Sequence, residues 1–258
     1  MTSFVVLMVM TVLVVLLSIP FYRENFREFY RDVLIETHGM LFDLLIIGIL
    51  LYWLNQNGQR LIQIRRYKDE IDDFRLWQSE EAAFRTVGNI KRLNRNNIYS
   101  INLVNCFLAK TQLSHVNLSG SNLNNANLSH SKLVECNFEG ARLNQTNLEN
   151  ANLNQINMES AYASGANFKD AVMIKANLAK SFLIKANFTN AFLMEANLND
   201  SNLAGVDFEN ANLYKADLRN AKGLTLEQLE HVKTLYKALL DPEIKQIIKD
   251  QKPNLLGK

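Results

Sequence analysis

A five-residue repeat fills the middle of the chain and limits the folds that it can adopt. A large apolar residue recurs at almost every fifth position from Leu103 to Leu218. Two positions before most of these residues lies a small one, and the residue between the two is usually polar, most often asparagine. This period matches neither an α-helix nor an ordinary strand. It predicts a stacked repeat architecture in which the chain turns once per repeat and points two side chains inward.

Several repeats share the order small, asparagine, leucine, as at Ala126–Leu128, Ala151–Leu153 and Ala176–Leu178. This order resembles the pentapeptide-repeat family, whose motif is A(D/N)LxX, over about half of the chain. The resemblance implies a mainly β fold, a right-handed quadrilateral (pentapeptide-repeat) β-helix in which four pentapeptides form one square coil. The repeats would make about six coils, a rod on the order of 30 Å long at the usual strand spacing.

The resemblance also divides the side chains between the two sides of the coil wall. The central leucine or phenylalanine and the small residue two positions earlier face the interior, and the other three positions face solvent. Stacking buries a continuous apolar column, which contributes roughly 1.5–3 kcal/mol per fully buried large side chain.

Ala163 replaces a large central residue between Met158 and Met173, and Gly165 follows it. We therefore expect a local bulge or cavity at that coil.

The sequence shows no set of residues typical of catalysis or metal binding. Cys106 and Cys136 occupy small inward positions on opposite faces of the coil, which predicts buried free thiols rather than a disulfide. The histidines are scattered through unrelated elements, at His38, His115, His130 and His231. We find no nucleophile–base set, metal-spaced cluster or phosphate loop. We predict a protein that is not an enzyme, with no catalytic residues, no cofactor and no metal.

The repeat segment carries equal numbers of basic and acidic residues between Ile98 and Lys222. The family's best-understood members mimic DNA and bind topoisomerases, which requires a strongly negative rod. A nucleic-acid-binding protein would instead need a basic stripe. The balance of charge argues against a topoisomerase-directed DNA mimic and predicts no nucleic-acid partner.

Two apolar segments near the N-terminus predict a membrane anchor, with lipid as a partner. Phe4–Ile19 approaches the ~20 residues that span a bilayer, and it lacks the basic start and cleavage site of a signal peptide. The second segment, Val33–Leu54, includes Glu36, His38 and Asp43. Ionisable groups at membrane depth are costly. Either Glu36 and His38 lie at the headgroups, or the three form a polar seam that joins helices or lines a small pathway.

Between the spans, aromatic and arginine residues alternate along Phe21–Asp32, which predicts an interfacial helix. The flank after the second span is slightly more basic than this loop, which favours a cytoplasmic β-helix. The stretch Ile64–Asn94 looks like the juxtamembrane region of membrane-anchored bacterial pentapeptide proteins. These observations predict a multi-pass protein of the bacterial inner (cell) membrane.

Flanking segments complete the organisation. Gln59–Asn89 has apolar residues at helical spacing, which predicts one stalk helix that either self-associates or packs onto the first coil. A capping box at Thr225 and Gln228, and Asp241 before a proline, predict two helices that cover the last coil. The predicted domains are a two-span anchor with an interfacial segment (1–56), a juxtamembrane connector helix (57–97), the β-helix (98–222) and a C-terminal helical cap (223–258).

Some outward positions of the repeats are apolar rather than polar, and four repeats per coil place them on two opposite faces. One face carries Val172, Ile174, Phe192, Met194 and Tyr214. The opposite face carries Tyr162, Phe182 and Ile184. Contiguous apolar patches need an explanation, either coverage by the terminal helices or an interface with a protein partner or a homo-oligomer.

We expect a membrane-anchored scaffold that presents a rigid β-helix for protein–protein interaction or self-assembly. A different class of function stays open, a membrane effector whose spans oligomerise and perturb the bilayer, for which Glu36 and Asp43 are the only sequence support. The sequence does not name the protein partner.

Overall fold

Three helices precede the repeats. The computed structural model describes residues 2–24 and 26–257, with the side chains of 8–19 and 26–257. The helices are α1 (Thr2–Glu24), α2 (Phe26–Phe74) and α3 (Glu80–Arg95). The chain forms two compact units, Met1–Ile62 and Gln63–Lys258.

The first unit consists of helices with exposed apolar surfaces. Every side chain from Met8 to Leu17 and from Tyr30 to Gln56 is exposed. α2 is long and apolar enough, by length and composition, to cross a membrane, and Met8–Ile19 is a shorter apolar stretch. The described side chains of these two segments are exposed rather than buried against each other, and the predicted two-span anchor stays a prediction. The predicted interfacial residues Phe21 and Tyr22 lie outside the described side chains.

The predicted stalk helix Gln59–Asn89 is wrong in its second half. α2 continues without a break from the interfacial segment through the second apolar segment to Phe74. A new helix, α3, then begins after Ser79, whose hydroxyl accepts a hydrogen bond from the Ala82 N–H at 3.2 Å. A serine N-cap followed by two glutamates in the first turn favours a helix start. This local signal overrides the apolar spacing that suggested one continuous helix.

The repeats form a square coil whose backbone pairs with itself every 20 residues. On one face, parallel bridges connect Asn102, Asn122, Arg142, Tyr162, Phe182, Asn202 and Lys222 in that order. In the described residues these bridges are isolated and no extended strand forms, because the chain turns after each bridged residue. The turn residue takes a positive φ, near +56° to +59° at Glu135, Lys175 and Glu195. This conformation is unfavourable for most side chains, so coil-to-coil pairing must offset its cost.

Asparagine recurs in front of the central residue because its amide makes two kinds of hydrogen bond. The Asn137 Oδ1 accepts the backbone N–H of Glu139 at 3.0 Å, which fixes the turn. The same oxygen accepts from the Nδ2 of Asn157 in the next coil at 3.1 Å, and the ladder continues to Asn177 and Asn197. The outward asparagines therefore hold the coils in register, as well as facing solvent.

The lumen is filled by the central side chains. All of them from Leu103 to Leu218 are at most 1% exposed, and the stacked rings of Phe168 and Phe188 have centroids 4.7 Å apart. Of the predicted bulge or cavity at Ala163, the bulge is wrong. The Ala163 N–H still donates to the Phe182 carbonyl at 2.8 Å, and Gly165 takes the positive φ of an ordinary turn residue. The coil geometry is thus kept despite the smaller central residue.

The first coil is closed by α3 and by two polar side chains. Ile90 and Leu93 of α3 are fully buried in the same core as the repeats. The Asn94 Oδ1 accepts the Asn117 N–H at 2.7 Å, and its Nδ2 donates to the Asn117 carbonyl at 2.9 Å. One side-chain amide thereby substitutes for a residue of a preceding coil. The connector was expected either to self-associate or to pack onto the first coil, and α3 packs onto the first coil.

The predicted first helix of the C-terminal cap is a single turn, α4 (Leu226–Leu229), and pairing between coils resumes after it. Thr234 bridges to Asn212, and Leu239 bridges to Asp217. Square-coil pairing therefore extends beyond the predicted boundary at residue 222. The capping box is present, and the Gln228 Nε2 also donates to the carbonyl of Leu203 at 2.9 Å. α5 (Pro242–Gln251) and a short 3-10 helix (Pro253–Leu256) complete the chain.

We expect Leu153→Asp to unfold the repeat unit. The Leu153 side chain is fully buried in a middle coil, and an unpaired carboxylate there costs several kcal/mol. The matched control is Asn152→Asp, since Asn152 faces outward and its Oδ1 only accepts the Asn154 N–H, which a carboxylate also accepts. Thermal unfolding followed by circular dichroism should show a large loss for the first variant alone. Equal shifts for both would contradict the inward and outward assignment.

Candidate interaction surfaces

The structure brings the first set of predicted outward residues into adjacent columns along the rod. Val172 bridges directly to Phe192. Ile174, Met194 and Tyr214 follow one another in the next column, where the Glu195 N–H donates to the Tyr214 carbonyl at 2.9 Å. We call this side of the rod the Phe192 face. Phe192 is 41% exposed and its neighbours in the columns are half-buried.

Tyr236 extends the Phe192 face and was missed by sequence reasoning. Its ring stacks on Tyr214 with centroids 5.8 Å apart, one coil further along the rod. The sequence placed Tyr236 in a helix, because the segment after Lys222 interrupts the repeat. The return of five-residue spacing at Leu235 and Leu240, both buried, is the signal that could have found it.

A charged column borders the apolar columns at the corner of the coil. The Glu195 carboxylate lies 3.9 Å from the Lys175 Nζ and 3.3 Å from the Lys215 Nζ. The hydrogen bond to Glu195 raises the pKa of Lys215 above its usual range. The Nζ atoms of Lys215 and Lys237 lie 5.2 Å from the ring centroids of Tyr214 and Tyr236, respectively. The face therefore combines an apolar strip with ordered charges along one edge.

The second set lies on the opposite side, which we call the Phe182 face. The rings of Tyr162 and Phe182 stack with centroids 4.9 Å apart and planes 2° from parallel. They are 45% and 41% exposed, and Ile184 beside them is half-buried. Because these side chains and Phe192 are exposed, the helices of the same compact unit do not cover them. The use of either face as an interface stays a prediction.

The ionisable residues of the second apolar segment are exposed along α2. The His38 Nδ1 lies 2.7 Å from the Leu34 carbonyl oxygen of the preceding turn. Among the described side chains, neither Glu36 nor Asp43 has an ion-pair partner. The structure thus places the three residues on one helix without bringing them together as a site.

Cys106 and Cys136 are buried free thiols in the lumen. Burial raises the pKa of each to about 11, which leaves little reactive thiolate at neutral pH. Among the described residues, no group of three or more His, Cys, Asp or Glu side chains could hold a metal ion. The distinctive surfaces of the repeat unit are therefore its two apolar faces.

Comparison with known proteins agrees with this geometry. Residues 97–129, 121–159, 151–190 and 191–222 match the family model described as pentapeptide repeats (8 copies). A search of curated proteins finds no match.

Similar solved structures include a pentapeptide repeat protein of the Arabidopsis thaliana thylakoid lumen, 29% identical, with 37% of this chain and 69% of that chain covered and a TM-score of 0.29. HetL of the cyanobacterium Nostoc sp. strain PCC 7120, a protein involved in heterocyst differentiation regulation, is 23% identical, with 56% and 95% covered and a TM-score of 0.29. QnrB1, a plasmid-mediated fluoroquinolone resistance protein, is 17% identical, with 59% and 83% covered and a TM-score of 0.32. The family match and the coil-to-coil backbone pairing together show that residues 97–222 of this chain are pentapeptide repeats.

Proposed function

We propose that the chain is a non-enzymatic membrane-anchored scaffold whose β-helix, of about six coils, presents apolar faces to a protein partner or to a second copy. The observation that carries this proposal is the position of Tyr162, Phe182 and Phe192. These large side chains are each more than 40% exposed on a rod whose interior is already full of apolar residues. Because the core does not need them, an external partner is the simplest reason for apolar residues in these columns.

The rigidity of the rod supports a role in binding. The backbone N–H groups of Leu153, Leu193 and the other central residues are paired between coils, and asparagine side chains lock the outward turns. Side chains on such a surface are already ordered before a partner arrives. Association then costs less conformational entropy than it would on a flexible loop.

The exposed apolar helices support the anchor. The side chains of Met8–Leu17 and Tyr30–Gln56 would face water in a soluble protein, whereas a helix in lipid has all its backbone groups satisfied. We propose that they make a multi-pass anchor in the bacterial inner membrane. The basic residues after the second segment, Arg60, Arg65, Arg66 and Lys68, support a cytoplasmic β-helix.

A second candidate is a membrane effector whose helices oligomerise and perturb the bilayer. The observation in its favour is that Glu36 and Asp43 are exposed on α2 with no ion-pair partner among the described side chains. Carboxylates at membrane depth usually face another helix or water. A topoisomerase-directed DNA mimic is less favoured, because lysine and glutamate alternate along the corner column of the Phe192 face.

We expect the full-length protein to sediment with membranes and to resist extraction with alkaline carbonate. Its exposed apolar helices would lose a favourable environment on release into water. Immunoblotting of the membrane and soluble fractions makes the measurement, with an integral and a peripheral membrane protein as controls. Recovery of intact protein in the soluble fraction would contradict the anchor.

We expect Ile174→Asp combined with Phe192→Asp to abolish association through the Phe192 face without unfolding the rod. Both side chains project outward, and each buried apolar side chain contributes a few kcal/mol at roughly 25 cal/mol per Å². The measurement is the mass of the full-length protein in detergent and the partners captured with it, with circular dichroism as the check on folding.

The matched control adds the same charge on a third face, with Asn127→Asp and Ser129→Asp. Loss of association in both double variants would indicate a general effect of charge. Unchanged mass and unchanged capture in the first variant would mean that the Phe192 face is not an interface.

A further inference from the structure

We propose that the partner of the Phe192 face is a second copy of this chain, bound antiparallel about a two-fold axis that passes between the coil of Val172 and the coil of Phe192. The inference rests on the proposed function only in that both treat this face as an interface. It goes further by naming the occupant and the register in which it binds.

Three outward columns cross the Phe192 face, and coil-to-coil pairing fixes their order along the rod. The first column is Lys132, Asn152, Val172, Phe192, Asn212 and Thr234. The second is Val134, Asn154, Ile174, Met194, Tyr214 and Tyr236. The corner column is Glu135, Gln155, Lys175, Glu195, Lys215 and Lys237.

A two-fold axis perpendicular to the rod, in the plane of the interface, places each column against its own copy in reverse order. With the axis between the coils of Lys175 and Glu195, Lys175 of each copy lies opposite Glu195 of the other copy. The same operation places Glu135 opposite Lys237, and neutral Gln155 opposite Lys215. Every charged residue in this part of the corner column then meets an opposite charge or a neutral amide.

Two neighbouring antiparallel registers bring like charges together. An axis through the coil of Glu195 places that carboxylate against itself and Lys175 against Lys215. An axis between the coils of Glu195 and Lys215 places Lys175 against Lys237. Like-charge contacts disfavour these two registers. An axis through the coil of Gln155 avoids them but places Val172 opposite Lys132, so charges and apolar columns together favour the proposed register.

The apolar columns fit the same register. Phe192 lies opposite the smaller Val172, and Met194 lies opposite Ile174, which has a similar volume, so that apolar side chains meet apolar side chains at the centre of the interface. At the ends, Tyr236 lies opposite Val134. Two sheet faces pack about 10 Å apart, which leaves room for one layer of such side chains from each copy.

The Phe182 face lacks these features. Its corner column is neutral apart from Lys185, so charge selects no register there. Its large exposed side chains, Tyr162 and Phe182 with Ile184 beside them, cross two coils, whereas the apolar strip of the Phe192 face crosses four. The Phe192 face is therefore the one that fits a second copy.

The test reverses one charge in each of two variants, Lys237→Glu and Glu135→Lys. Within one molecule these positions are five coils apart, about 24 Å, so they can meet only between copies. A homodimer of either variant contains two like-charge contacts, and we expect its dissociation constant to rise about tenfold. In an equal mixture of the two variants, heterodimers contain two opposite-charge contacts, and we expect affinity to return to the wild-type value. Lys185→Glu on the Phe182 face is the matched control and should leave affinity unchanged.

Cross-linking of the full-length protein in detergent gives a second measurement. Isotopically heavy and light copies are mixed and treated with a zero-length carbodiimide, which joins lysine to carboxylate. Mass spectrometry should find a heavy–light link between Lys237 and Glu135. Links between Lys175 and Asp170 of different copies would indicate parallel rods and overturn the proposal.

The proposal also fails if the two variants, alone and mixed, associate like the wild type. Carbonate extraction of the same variants separates this failure from failure of the proposed function. Retention in the membrane without the Lys237–Glu135 link would contradict the antiparallel dimer alone. Loss of membrane retention in the wild-type protein would contradict the membrane-anchored scaffold.

Discussion

Backbone hydrogen bonding between successive coils, whose bridged residues are 20 apart, is the interaction on which the rest of the repeat unit depends. It runs without interruption through Ala163 and Gly165, where the lumen holds its smallest central residue. It also offsets the positive φ that lysine, glutamate and asparagine adopt at the turns. The pairing therefore sets which side chains point inward, and it leaves the outward columns free to vary with function.

The same pairing leaves unpaired groups at both ends of the rod, and polar side chains satisfy several of them. At the first coil, Asn94 pairs with both backbone groups of Asn117, and the Arg75 guanidinium donates to the Val104 carbonyl at 3.2 Å. At the other end, Gln228 donates to two carbonyls of the last regular coil. An open coil edge would invite pairing with other chains. These side chains occupy backbone groups that would otherwise be open to such pairing.

The sequence predicted the repeat fold because its inward and outward positions are periodic, and periodicity is a strong signal. It placed Val172 with Phe192, and Tyr162 with Phe182, from the count of residues alone. It failed where a single local contact decides the outcome, as at Ser79, whose N-cap hydrogen bond starts α3 in the middle of the predicted stalk. It also failed after Lys222, where an inserted turn hides the resumed coil and so concealed Tyr236 from the candidate surface.

Because the lumen is filled and the backbone is fixed, the outward side chains are the part of this rod that can determine binding specificity. Each coil adds one residue to each outward column. A face therefore presents a row of side chains, which differ in size and charge, at a spacing of about 4.8 Å. On the Phe192 face these rows contain alternating lysine and glutamate beside a strip of apolar residues. An apolar strip alone would bind in several registers. In the proposed dimer the adjoining charges disfavour the neighbouring registers, which would make the contact between the two copies more specific.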